Sequence, residues 1–169
     1  MRMTLAEFGA MSLAFKKSAF RFETLPHYAG ESERAGLALF LSGAEKPADH
    51  NERTHETMRR LAAEGKKVQK VKVVSRPYTD YTRYALEWSI PGSVAAGWEH
   101  RILDVTDRNV DLPTFDYWLY DDSKVVVVNY DDDGVPVDAE LIEGDDVERY
   151  RRWRDLALEE SVPFSVFRA

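Results

Sequence analysis

Apolar positions along this chain recur first with a helical period and later with a period of two. Leu5, Phe8, Met11, Phe15, Ala19 and Phe22 follow one another at spacings of three and four, the pattern of a helix with one buried stripe. Thr4 and Glu7 stand at its start as a capping box, each side chain satisfying a free N–H of the first turn, and Pro26 ends it. Glu31 to Ser42 predicts a second helix, with Leu37, Phe40 and Leu41 inward and Gly43 as its stop. Asn51 to Glu64 predicts a third, capped by Asp49 or Asn51, with His55, Met58, Leu61 and Ala62 as its stripe and Gly65 at its close.

Beyond Gly65 the period shortens. Val68 to Val74 alternates, with Lys70 and Lys72 opposite Val71 and Val73, and so reads as a strand with one wet face. The stretch from Thr79 to Ile90 fits both periods, and Thr79 as a cap favours helix. Strands are expected at His100–Val105, Phe115–Tyr120 and Lys124–Tyr130, the last two joined by a turn at Asp121-Asp122-Ser123. The run Val125 to Val128 suits a central strand, and Pro136–Ile142 suits an edge strand after the turn Asp131-Asp132-Asp133-Gly134. A closing helix opens on Asp145, Asp146 and Glu148, carries Val147, Tyr150, Trp153 or Arg154, and Ala157 as its stripe, and stops before Pro163. N-terminal helices, a mixed and mostly antiparallel sheet and a C-terminal helix make an α+β fold. The 169 residues, 44% of them hydrophobic, fit one domain spanning 1–169.

Composition narrows the chemistry. With no cysteine there is no disulfide, thiolate nucleophile or Cys-ligated metal. No apolar run reaches the roughly 20 residues of a membrane span, and Met1 to Lys17 lacks a signal-peptide pattern, so a cytoplasmic protein is expected. The net charge of −7 is unevenly spread: Arg53 to Arg76 carries eight Lys/Arg against two Glu, whereas Asp104 to Glu148 carries fifteen Asp/Glu against two basic residues. The two segments read as solvated faces, or as a polar molecule whose acidic side meets a basic partner. Arg59, Arg60, Lys66 and Lys67 offer a patch for DNA, but the net charge, Glu56, Glu64 and the lack of a helix-turn-helix speak against nucleic acid as the partner.

Catalytic templates fail in turn. His50 and His55 are five apart and point to different sides of a helix, so no metal site is expected, and His27 and His100 are isolated, with no motif that places a nucleophile near either to make it a catalytic base. There is no Gly-rich dinucleotide or phosphate loop, and hence no cofactor is expected. Asp131 to Asp133 lacks the alternating spacing of a calcium loop, and Pro91-Gly-Ser93-Val-Ala lacks the second glycine of a nucleophile elbow.

Arg76 to Trp88 mixes Arg, Tyr, Trp and carboxylates in the manner of interface anchors, and Asp116-Tyr117-Trp118-Leu119-Tyr120-Asp121, with Tyr, Trp and carboxylates, is similar. The competing account makes their aromatics half-buried core. As a helix, the first stretch places Asp80, Arg83, Tyr84 and Glu87 on one broad face and Tyr81, Ala85 and Trp88 on the face toward the sheet. The candidate binding residues are therefore Arg76, Asp80, Arg83, Tyr84, Glu87, Asp116, Trp118 and Asp121. These features favour a non-enzymatic binding or regulatory module with a protein partner. The alternative is a phosphoester hydrolase or nuclease-like enzyme, for which a pocket gathering Arg83 with Asp121 or Asp122 would be the sign. Neither reading sets an oligomeric state.

Ser18-Ala-Phe-Arg21-Phe-Glu23-Thr-Leu-Pro-His-Tyr28, Arg76 to Trp88, Gly97-x-Glu99-x-Arg101, Asp116 to Asp122, Tyr130-Asp131 and Gly134 together resemble an uncharacterised actinobacterial domain-of-unknown-function family. That resemblance spans nearly the whole chain and implies a regulatory accessory role, because such genes lie beside helix-turn-helix regulators. It carries over no catalytic residue. More distantly, the strand–helix order and the Asp121-Asp122 pair look like one half of a phospholipase D-type domain, with Phe115 and Tyr117 where its His and Lys belong if Asp122 takes the place of its Asp. The resemblance then implies an inactive descendant.

Overall fold

A computed structural model covers residues 1–169. The chain folds as α+β, around one eight-stranded mixed sheet. The strands are β1 (Arg2–Met3), β2 (Ser18–Glu23), β3 (Lys67–Val74), β4 (Glu99–Asp104), β5 (Asp116–Tyr120), β6 (Lys124–Tyr130), β7 (Pro136–Glu143) and β8 (Val162–Pro163). Their spatial order is β1-β7-β6-β5-β2-β3-β4-β8, with β2, β3 and β4 mutually parallel and all other neighbours antiparallel.

The helices are α1 (Leu5–Ser12), α2 (Glu31–Leu41), α3 (Glu52–Ala63), α4 (Asp80–Tyr84), α5 (Ile90–Ala95) and α6 (Val147–Glu160). The capping box at Thr4 and Glu7 is present, with the Thr4 N–H donating to Glu7 Oε2 at 2.7 Å and the Glu7 N–H donating to Thr4 Oγ1 at 3.2 Å. The ambiguous stretch is helical: Thr79 Oγ1 accepts from the Thr82 N–H at 3.0 Å, and α4 runs through a π-helical turn at Ala85–Ser89 into α5. Asn51 precedes α3 in the left-handed conformation without a side-chain cap, so neither it nor Asp49 does the capping expected of them.

The first helix is the main departure from expectation. It stops at Ser12, and Ser18–Glu23 is a central strand instead of helical continuation. The 3–4 spacing of Phe15, Ala19 and Phe22 coincides with a period of two in which Ala19, Arg21 and Glu23 face one way and Phe20 and Phe22 the other. Pairing with β3 along its whole length and with β5 over Ala19–Phe22 gives this segment sheet partners on both sides, which outweighs local helix preference. A strand therefore interrupts the N-terminal helices.

Both faces of the sheet are covered. On one, α6 lays Val147, Tyr150 and Ala157 on Phe20, Phe22, Val71, Leu103, Tyr117 and Leu119, and the Tyr117 hydroxyl donates to the Tyr150 carbonyl at 3.2 Å. On the other, Phe15 and Leu61 pack with Ala19, Val68, Tyr120 and Val126, while Tyr81, Tyr84 and Trp88 pack on Val74 and Ile102. The parallel centre is thus buried from both sides, as parallel strands require. Lys72, 2% exposed, and Lys70 consequently do not lie on a wet face.

Candidate functional site

Register brings the charges together. On the face toward α1–α5, Trp118, Arg21, Lys70 and His100 form one row across β5, β2, β3 and β4, and Glu23, Lys72 and Ile102 form the next. Asp116 projects to this face two residues before Trp118. The cations can be buried because the carboxylate of the next row, Glu23, lies opposite Lys72 and within reach of Arg21 and Lys70.

Glu23 is the hub of this cluster. Its carboxylate lies 3.1 Å from Arg21 Nε, 3.3 Å from Lys70 Nζ and 3.9 Å from Lys72 Nζ. Burial would raise its pKa, but these three cations outweigh burial and hold it well below the usual carboxylate range. Asp116, 1% exposed, accepts from the Thr24 N–H at 2.7 Å, the Thr24 hydroxyl at 2.9 Å and the Tyr28 hydroxyl at 2.7 Å, and lies 3.7 Å from Arg21 Nη2. Burial depresses both lysines, with Glu23 opposing it. Lys72 Nζ has no hydrogen-bond partner and sits over the rings of Tyr28 and Tyr81, 5.1 and 5.4 Å from their centres. Burial, reinforced by Lys70, brings the His100 imidazole down to about 3, so it is neutral at physiological pH with its Nε2 unpartnered.

Beside this cluster opens a cavity of about 420 Å³. Phe8 and Phe15 wall it from the α1 side, Thr57 and Leu61 from α3, and Trp98, Trp118, Tyr120 and Tyr130 from the sheet side; Arg21 and Glu33 also line it. Arg21 is immobilised: besides its two carboxylates it donates to the Tyr130 hydroxyl at 3.3 Å and lies over the rings of Trp118 and Tyr28, at 5.3 and 5.7 Å. Nowhere do three His, Asp or Glu side chains converge to hold a metal ion.

The sequence-derived candidates are split by the structure. Asp116 and Trp118 belong to the cluster and the cavity wall. Arg76, Asp80, Arg83 and Glu87 are exposed: Arg76 lies 3.7 Å from Asp104, and Arg83 pairs with Asp80 at 3.1 Å and covers the Phe40 ring. Tyr84 does not share their face. It is 1% exposed, its hydroxyl lies 2.9 Å from His50 Nε2, and its ring occupies the space where Gly36 lacks a side chain. Asp121 holds a turn, accepting from the N–H groups of Lys16, Lys17 and Ser18, while Asp122 pairs with Arg154. Arg83 is therefore not gathered with Asp121 or Asp122. The basic segment is broken up as well, since Lys70 and Lys72 point inward, Arg59 pairs with Glu52 and Lys66 with Glu64.

Sequence alone assigned no chemistry to Arg21, Glu23, Lys70 and Lys72, and set His100 aside as isolated. The available signal was the alternation in Ser18–Glu23 and its charge complementarity to Val68–Val74.

The family model for a domain of unknown function (DUF6879) matches residues 6–169, and the chain belongs to that family. No curated protein matches it.

Proposed function

We propose that this DUF6879 member is a non-enzymatic binding module, holding a small molecule in the cavity beside Arg21 and presenting the outer strip of α4 and the π-helical turn to a protein partner. The observation that carries the reading is Arg21, a guanidinium fixed by Glu23, Asp116, Tyr130, Trp118 and Tyr28 on the wall of an aromatic cavity. A volume of about 420 Å³ exceeds what an inorganic ion needs and falls in the range of roughly 300–1,000 Å³ that encloses a small organic ligand. A charge already fixed in place loses little freedom on binding. Thr57→Trp fills this cavity from α3 and leaves every residue of the ion cluster unchanged. In a thermal-shift screen of small molecules, compounds that stabilise the wild type are expected to leave Thr57→Trp unmoved; equal shifts in both would place the binding elsewhere.

The partner half rests on Asp80, Arg83 and Glu87, exposed on one strip, with exposed Leu39 and Leu41 on α2, the helix whose Phe40 lies beneath Arg83. Mixed apolar and charged surface of this kind suits a protein interface more than bare phosphate. Following the resemblance to a family encoded beside helix-turn-helix regulators in actinobacteria, the partner is such a regulator and the setting the cytoplasm. Arg83→Ala is expected to weaken co-precipitation of that regulator while changing unfolding free energy by no more than about 0.5 kcal/mol, since an exposed pair contributes little. Trp88→Ala, a core truncation, is expected to cost roughly 3 kcal/mol or more in the same denaturation series. An Arg83→Ala protein that unfolds but still binds as folded would make Arg83 structural.

The alternative, a phosphoester-cleaving enzyme of phospholipase D-like ancestry, has one favouring observation: His100 stands beside Lys70 with an unpartnered Nε2. His100 is 6% exposed and does not line the cavity, which favours the binding reading. Hydrolysis of bis(p-nitrophenyl) phosphate that disappears in His100→Ala would reverse the order.

A further inference from the structure

The binding reading leaves the ligand's chemistry open, and the charge and donor inventory around the cavity narrows it. The buried cluster holds three basic side chains, Arg21, Lys70 and Lys72, against two carboxylates, Glu23 and Asp116. His100 adds no charge near neutral pH, so fully ionised side chains leave one positive charge without a counterpart. An uncompensated charge in a low-dielectric interior is costly, and a monoanion beside it removes that cost, whereas a dianion reverses the imbalance.

The hydrogen-bonding groups left open point the same way. Three cavity-lining residues retain unused donors: Arg21, whose Nη1 makes no hydrogen bond, Trp98, whose buried Nε1 has no partner, and Tyr120, 4% exposed with an unpartnered hydroxyl. Guanidinium and indole nitrogens donate only, so the group that satisfies them presents acceptors, and beside a guanidinium an ionised carboxylate is the strongest of these. Most of the remaining wall, including Phe15 and Trp118, is apolar and suits a flat hydrocarbon body.

Resting on the binding reading, we infer that the cavity takes a small monocarboxylate with a flat, apolar body, its carboxylate directed to Arg21. Glu33 lines the cavity too and is partly exposed at the first turn of α2, so a cation seated against it is the competing outcome.

The test is isothermal titration of the full chain with naphthalene-2-carboxylate, naphthalene-2-carboxamide and 2-naphthylmethylamine, which share a ring system and differ in charge. The carboxylate is expected to bind at least about tenfold more tightly than the amide, the amine most weakly. Tyr120→Phe removes a hydroxyl that holds nothing in the fold, and Lys72→Met removes the surplus charge from outside the cavity. Each is expected to lower carboxylate affinity several-fold, and Lys72→Met, which acts through charge alone, to leave the amide unchanged. Equal binding of carboxylate and amide, tighter binding of the amine, or no binding of any probe overturns the inference. The binding module itself falls only if, in addition, the thermal-shift screen finds no compound sensitive to Thr57→Trp and the regulator is not retained.

Discussion

Glu23→Gln should lower the unfolding free energy by about 3–5 kcal/mol, the range for breaking a buried ion pair from one side. Glu23 faces Arg21, Lys70 and Lys72 within 3.9 Å, and all three would lose their common counterion while remaining out of water. The opposite deletion has a different sign. Lys72 is 2% exposed, makes no hydrogen bond and reaches Glu23 only at 3.9 Å, so its desolvation is offset poorly. Lys72→Met keeps the stem and leaves two cations against two carboxylates; it should be neutral or stabilising, as when buried charges give way to apolar side chains of similar volume. Glu23→Gln/Lys72→Met should then recover part of the Glu23→Gln loss, a coupling that urea denaturation of the four proteins would measure. If the double variant is no more stable than Glu23→Gln, Lys72 is not coupled to Glu23, and the three cations do not act as one cluster.

Most of the fold was legible wherever a residue's chemistry agreed with its place. The capping box at Thr4, the turn at Asp121-Asp122, the valine run of β6 and the stripe of α6 each carry their information locally. The site was not legible for the same reason. In Ser18–Glu23 and Val68–Val74 the charged positions mimic a solvated face, and only pairing of the two strands brings Glu23 to Lys70 and Lys72. Such complementarity is a property of two segments forty-nine residues apart, as in Glu23 and Lys72, and no single window contains it. Tyr84 illustrates the converse: helical spacing placed it beside Arg83, but the absence of a side chain at Gly36 draws it into the core. Asp116 and Trp118 were found because the strand concentrates aromatic residues beside a carboxylate, a composition that is visible without knowledge of the partner strand.

Acid should destabilise the protein from well above the range in which carboxylates titrate, with His100 as a principal cause. Its imidazole is brought from the ordinary 6.5 down to about 3, first by burial and then by Lys70, with Arg21 and Lys72 adding to the depression and Glu23 opposing it. Between these values the unfolded chain binds a proton that the native state refuses, so stability rises with pH across this window and falls as the solution is acidified. One pKa unit corresponds to about 1.4 kcal/mol, which sets the loss from His100 at roughly 3 kcal/mol by pH 4 as an upper bound. His50 and His55 are also depressed by burial and act in the same direction, so the slope has more than one source. Glu23 adds its own loss only below about pH 4.5, because its folded-state pKa lies beneath the unfolded one. Urea denaturation at steps from pH 7.5 to 4.5 should therefore show stability falling before carboxylates protonate. His100→Phe, which cannot charge, should remove a large part of that slope while Glu23 still governs the region below it. A His100→Phe slope equal to the wild type's would mean that His100 protonates as freely in the folded protein as in the unfolded chain, and that His50 and His55 account for the acid sensitivity.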